Sequence, residues 1–196
     1  MSRSVPAFPF DFSTEPVTLF VVGSAPCLAA DLDVAKGLRP SHKIMAINYT
    51  ACWIKADFVF SIHVEDMPIF REGQLKFGPD FSTHADMRRT GRGRADYMWR
   101  GSFYSATSAI AGASVGRMMG FPEVILCGAP MDGPAAYYQP QPGLKTKPQG
   151  SVSKIVKSHL RGLERFATMA KGRVFSLSGF SRQVLGPPPE VPVYGH

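Results

Sequence analysis

Gly23-Ser24-Ala25-Pro26, directly after the apolar run Val17-Thr18-Leu19-Phe20-Val21-Val22, has the ingredients of a phosphate turn. Glycine lets the backbone turn sharply and Ser24 supplies a hydroxyl donor. A helix starting near Pro26 would add unpaired N–H groups and a partial positive charge. The same four residues also make a plain strand–helix connection, and their spacing is not the G-x-G-x-x-G fingerprint. Asn48 ends a second apolar run, and its amide, donor and acceptor at once, suits a ribose or base edge; an Asx turn is the plainer use. Ser61-Ile62-His63-Val64-Glu65-Asp66 sets a histidine beside two carboxylates. That is a general-base or metal neighbourhood, or else a solvated loop. Thr107 and Ser108 open a helix and form either a second phosphate cradle or an ordinary N-cap. In Gly128-Ala129-Pro130-Met131-Asp132-Gly133, Asp132 could hold a ribose, a sugar hydroxyl or a divalent ion, or simply close a turn.

The elements that must position these residues follow from the apolar pattern. Val17 to Val22, Lys43 to Asn48, Asp57 to Ile62, Glu123 to Gly128 and Gly172 to Leu177 read as strands, the first and fourth apolar enough to be buried on both faces. Pro26 to Gly37, Ser105 to Gly120 and Ser151 to Lys171 read as helices, with a turn or two of helix between Tyr49 and Ala56. Strands separated by helices predict an α/β fold. The expectation is a single Rossmann-like domain, a mainly parallel sheet of about five or more strands with helices on both faces. In such a sheet ligands sit beyond the carboxyl ends of the strands, so the residues singled out above should share one crevice.

The domain is expected to span 17–185, after an N-terminal extension over 1–16. Residues 65–101 and 129–150 would be loops or lids on the rim, and 186–196 a proline-rich tail ordered only by docking. Within 65–101, Arg88, Arg89, Arg92, Arg94 and Arg100 interleave with Tyr97 and Trp99. This reads as a solvated face or as a contact for an anionic acceptor; nucleic acid is the less favoured partner.

Lys and Arg total 22 against 15 Asp and Glu, a formal charge of +7, which favours anionic ligands. No apolar run approaches the roughly 20 residues of a membrane span, and residues 1–15 lack the pattern of a signal peptide. The three cysteines, Cys27, Cys52 and Cys127, lie far apart without metal-ligand spacing and read as small buried hydrophobes. A cytoplasmic setting is the expectation.

Taken together, these motifs resemble the bacterial sialyltransferase-like Rossmann glycosyltransferases, which are related to the 6-hydroxymethylpterin pyrophosphokinase-like group. The likeness rests on a strand followed by Gly-x-x-Pro, a strand ending in Asn48, Ala-Asp-Phe-Val-Phe-Ser-Ile, and Thr-Ser before the helix leading to Gly-Phe-Pro-Glu-Val-Ile-Leu-Cys-Gly. It covers about Val17 to Leu177. It implies a nucleotide-sugar donor, CMP- or UDP-linked, bound by Gly23, Ser24, Ala25, Pro26, Asn48, Thr107, Ser108 and Gly128, with transfer to the hydroxyl of a glycan or other acceptor. The chain departs from the pattern at Ala25, Cys27 and Ala109, where the group carries glycine, serine and glycine. Pro130 stands where an acidic residue is usual, with Asp132 two positions later. The group's base histidine before the last long helix is missing: Lys154 falls near that place and His159 is the nearest histidine. His63, Asp132 and His159 are therefore the catalytic candidates. One alternative is a pterin-type diphosphotransferase using ATP and magnesium held by Asp66 or Asp132. The other is a non-catalytic nucleotide-binding or assembly protein. Whether a divalent metal takes part is left open.

Overall fold

A computed structural model of the chain describes residues 17–86, 95–99, 107–131, 152–170 and 172–190. Among these, seven strands form one sheet: β1 (Thr18–Val22), β2 (His42–Ile47), β3 (Phe58–Ser61), β4 (Ser82–Asp86), β5 (Tyr97–Trp99), β6 (Glu123–Cys127) and β7 (Val174–Ser176). Their order is β5-β4-β3-β2-β1-β6-β7, and every neighbouring pair is parallel. The helices are α1 (Leu28–Leu38), α2 (Met67–Leu75), α3 (Ser108–Met118), α4 (Val152–Ala170) and α5 (Gly179–Leu185).

The chain walks from β1 outward to β5, then returns to lay β6 against the other side of β1. Right-handed crossovers put the helices of opposite walks on opposite faces. The core divides accordingly. Leu19, Val21, Met45, Ile47, Phe58, Phe60, Val124 and Leu126 pack with α3 and with Leu163 and Phe166 of α4. Phe20, Val22, Ala46, Val59, Ile125 and Cys127 pack with α1 and α2. The period-2 alternation of a strand sends successive side chains to the two faces, and both being covered explains the unbroken apolar runs. α3 sits low on the sheet because Gly112 and Gly116 lack side chains; a Cβ on Gly112 would stand 2.6 Å from Cδ1 of Ile47.

The stretch 65–101, read as loops or a small insertion on the rim, holds more regular structure than its pattern suggested. It contains a 310 turn (Val64–Asp66), α2, and two further strands that extend the sheet. β4, Ser-Thr-His-Ala-Asp, is polar in sequence and nearly all buried in structure. Its polar groups are bonded: the Thr83 N–H and hydroxyl donate to Asp96, which also accepts from Arg71. The turn or two of helix expected between Tyr49 and Ala56 is a 310 turn, Asn48–Cys52.

His84 of β4 is fully buried, edge-on to Phe58 and stacked on Tyr97 and Trp99. The Trp99 indole donates to its Nδ1 at 3.0 Å, so the ring proton sits on Nε2, facing Ser82 Oγ at 2.8 Å. Burial lowers its pKa from 6.5 to about 4, with Asp96 opposing. Because the unfolded chain then takes up the proton at higher pH than the folded one, stability is lost as pH falls from 6.5 towards 4. Urea denaturation at pH 7.5 and pH 5 should show a loss of about 2 kcal/mol from this residue. His84→Leu should be weaker at neutral pH and correspondingly flatter across that interval; an unchanged slope would remove His84 as its source.

At the amino edge of the sheet Arg39, just past α1, is buried against Glu123, the first residue of β6. Its Nε and Nη2 reach the carboxylate at 2.6 and 2.9 Å, and the Thr18 hydroxyl adds a third bond at 2.8 Å. The same guanidinium donates to the carbonyls of Pro189 and Glu190 at 2.8 and 3.4 Å. Arg39 thus ties the carbonyls of Pro189 and Glu190 to the amino ends of β1 and β6.

Candidate functional site

The strand order reverses between β1 and β6, and this switch point is where an open parallel sheet leaves a crevice beyond its carboxyl edge. Val22 and Cys127 are paired in register there, each followed by a glycine. The two turns are tied back to back. Gly23 N–H donates to the Cys127 carbonyl at 2.8 Å, and Ala25 N–H to the Gly128 carbonyl at 3.0 Å. A Cβ on Gly23 would lie 2.5 Å from that Gly128 oxygen, so only glycine admits the approach. Gly128 itself has φ +63°, the left-handed region that disfavours side chains. Ser24 is half-buried and Pro26 exposed; α1 begins at Leu28, with Cys27 in the N-cap position and Pro26 two residues ahead of the helix rather than in its first turn.

The turn after β6 is held from behind. Gly128 N–H donates to Asp31 Oδ2 of α1 at 2.8 Å, and Ser178 donates to Oδ1 of the same carboxylate. Ser181 of α5 donates its hydroxyl to the Ala129 carbonyl at 2.7 Å and its N–H to Pro130 at 2.9 Å.

One strand over, Asn48 directly follows β2 with φ +53°, a conformation asparagine tolerates better than most residues. Its Oδ1 accepts from Ser61 at 2.7 Å and its Nδ2 donates to Ser108 at 3.2 Å. The amide is thereby fixed between β3 and the start of α3, with one N–H uncommitted among the described residues. Ser61 also accepts the N–H of His63 at 2.8 Å, so the Asn48 amide and the His63 backbone meet at one hydroxyl. His63 Nδ1 lies 3.6 Å from Glu65, and both side chains are about half exposed. Thr107 caps α3, its Oγ1 accepting from Ile110 N–H at 3.3 Å; this is the ordinary N-cap geometry. His159 stands apart on α4, half-buried, its pKa lowered by burial, about 10 Å along the axis from the helix start.

The structure therefore gathers Gly23, Ser24, Ala25 and Gly128 at one mouth and Asn48, Ser108 and His63 beside it, on strands about 4.8 Å apart. Asp132 and the arginines from Arg88 to Arg94, with Arg100, lie outside the described residues. Ser61, Asp31, Ser178 and Ser181 were not foreseen; only an acidic residue on the apolar stripe of α1 hinted at any of them. Burial raises the pKa of all three cysteines, which are free, so none is an activated thiolate. Among the described residues no group of three or more His, Cys, Asp or Glu is placed to hold a metal ion, and no helix is long and apolar enough to cross a membrane.

No family model matches the chain, and no curated protein does. Among solved structures, the chain is similar to the MAf glycosyltransferase from Magnetospirillum magneticum AMB-1, with a TM-score of 0.51 over 84% of its residues and 16% identity. It spans 32% of that protein's length. At this identity the likeness is one of fold: the chain has a Rossmann-like α/β architecture that a glycosyltransferase also uses.

Proposed function

We propose that the chain binds a nucleotide-sugar donor over the carboxyl ends of β1, β2 and β6 and transfers the sugar to an acceptor hydroxyl. The observation that carries this reading is the switch-point mouth, where two glycine turns are locked together beside an asparagine whose amide is fixed in one orientation. Ser24 and the start of α1 are suited to the donor's phosphate, and the net charge of +7 favours an anionic ligand. Asn48 would take the ribose or the base. His63, with Glu65 beside it, is the base this reading assigns. It would accept the acceptor's hydroxyl proton as that oxygen attacks the anomeric carbon, and the nucleotide would leave with the electrons of the broken C–O bond. The fold of a known glycosyltransferase supports the class of reaction; the sialyltransferase-like donor is the finer part of the proposal.

Isothermal titration with CMP-sugars, UDP-sugars and ATP, with and without magnesium, tests it. One nucleotide-sugar class should bind saturably, and Asn48→Ala should weaken it about tenfold. His63→Ala should leave donor affinity unchanged while lowering turnover by about two to four orders of magnitude. Binding of ATP alone, dependent on magnesium, would replace this reading with diphosphoryl transfer. Silence towards every nucleotide would overturn both.

A further inference from the structure

We infer that Asp31 is a positioning residue for this site: through Gly128 it holds the turn after β6 in the shape that forms one wall of the donor mouth. The inference rests on the proposed nucleotide site and names a residue that never meets the ligand. Asp31 is the wrong residue for its place. On α1 the core-facing positions are Leu28, Leu32 and Ala35, and Asp31 falls on the same stripe, only 6% exposed. A carboxylate there is costly to bury unless hydrogen bonds replace its water, and a leucine would pack better.

Its bonds join segments far apart in the chain. Gly128 N–H is 97 residues away and the Ser178 hydroxyl 147 residues away. While Asp31 takes the Gly128 N–H, the Gly128 carbonyl accepts from Ala25 and those of Ala129 and Pro130 accept from Ser181. The turn is pinned between α1 and α5, with left-handed residues at Gly128 and Met131. Among the described residues, the N–H groups of Ala129 and Met131 are its uncommitted donors.

Electrostatics alone argues the other way. A buried negative charge under the mouth repels an anionic donor, so charge by itself predicts that removing Asp31 tightens binding. Positioning predicts that it loosens.

Three variants of the full chain separate these effects, each titrated with CMP and with UDP well below its own melting temperature. Asp31→Asn keeps an acceptor for Gly128 without the charge. Asp31→Leu completes the apolar stripe and removes the acceptor. Ser178→Ala cuts only the link to α5. The expected order is Asn within about threefold of wild type, Ser178→Ala intermediate, and Leu at least about tenfold weaker. Amide exchange at Gly128, followed by NMR, should accelerate in the Leu variant alone. Wild-type affinity in Asp31→Leu, tighter binding in either Asp31 variant, or an Asn variant as weak as Leu would each overturn the inference. If the wild type binds neither nucleotide, the proposed function fails first and takes the inference with it.

Discussion

Replacing Glu123 with alanine is expected to lower the stability of the fold by about 3–5 kcal/mol, because it leaves the Arg39 guanidinium buried without a counter-charge. Both side chains are almost fully removed from water, at 1% and 0% exposure. The carboxylate accepts three side-chain bonds, two from Arg39 and one from Thr18, across the amino ends of β1 and β6. Removing it also frees the cation that holds the carbonyls of Pro189 and Glu190. Glu123→Gln, which keeps the shape but not the charge, should be damaging too, though less so. The partly exposed pair Lys43–Asp57 offers the contrast: at 2.8 Å it is as short, yet solvent screening should hold the Lys43→Ala effect under about 1 kcal/mol. Urea denaturation of the three variants decides the matter. A Glu123→Ala loss no larger than that of Lys43→Ala would show that the buried pair is not holding the edge. Since the clamp lies at the opposite edge from the glycine turns, nucleotide affinity measured in the folded state should be unchanged.

The second large effect is expected at Gly23. A methyl group there would stand 2.5 Å from the Gly128 carbonyl oxygen, well inside contact distance, and the obstacle is backbone rather than a mobile side chain. That oxygen is itself fixed by Ala25 N–H, so accommodation means prising the two turns apart. Gly23→Ala should therefore cost about 1–3 kcal/mol in stability, and nucleotide affinity should fall at least about tenfold. Gly37 gives the control. It lies within α1 with nothing inside 4 Å of its would-be Cβ, so Gly37→Ala should stabilise by about 0.5–1 kcal/mol and leave binding alone. Near-wild-type affinity in Gly23→Ala, measured by titration, would separate the glycine approach from ligand binding altogether.

Strands buried on both faces were easy to read. Leu19-Phe20-Val21-Val22 and Val124-Ile125-Leu126-Cys127 announce themselves, because water touches neither side. β4 was not legible, since Thr83, His84 and Asp86 are buried polar residues whose bonding depends on partners such as Asp96 and Trp99, beyond any local window. β5 has three residues and gives no period to detect. The site divides along the same line. Gly23, Asn48 and Ser108 mark strand ends and a helix start, where the local pattern speaks. Asp31, Ser61 and Ser178 act through contacts that only the assembled sheet creates. Without the sheet, Asp31 is merely an interruption in an apolar stripe.

The placement of β6 beside β1 also sets an order of events during synthesis. Thr18 and its partner Glu123 are 105 residues apart. At ribosomal speed, roughly 5–20 s pass between the emergence of the two. Over that interval β1 can acquire β2 on one side, while its other flank stays an open row of N–H and C=O groups. A strand interior to the finished sheet is thus an edge strand for most of the chain's biosynthesis, and the nascent chain is most adhesive along a row that the mature one buries completely.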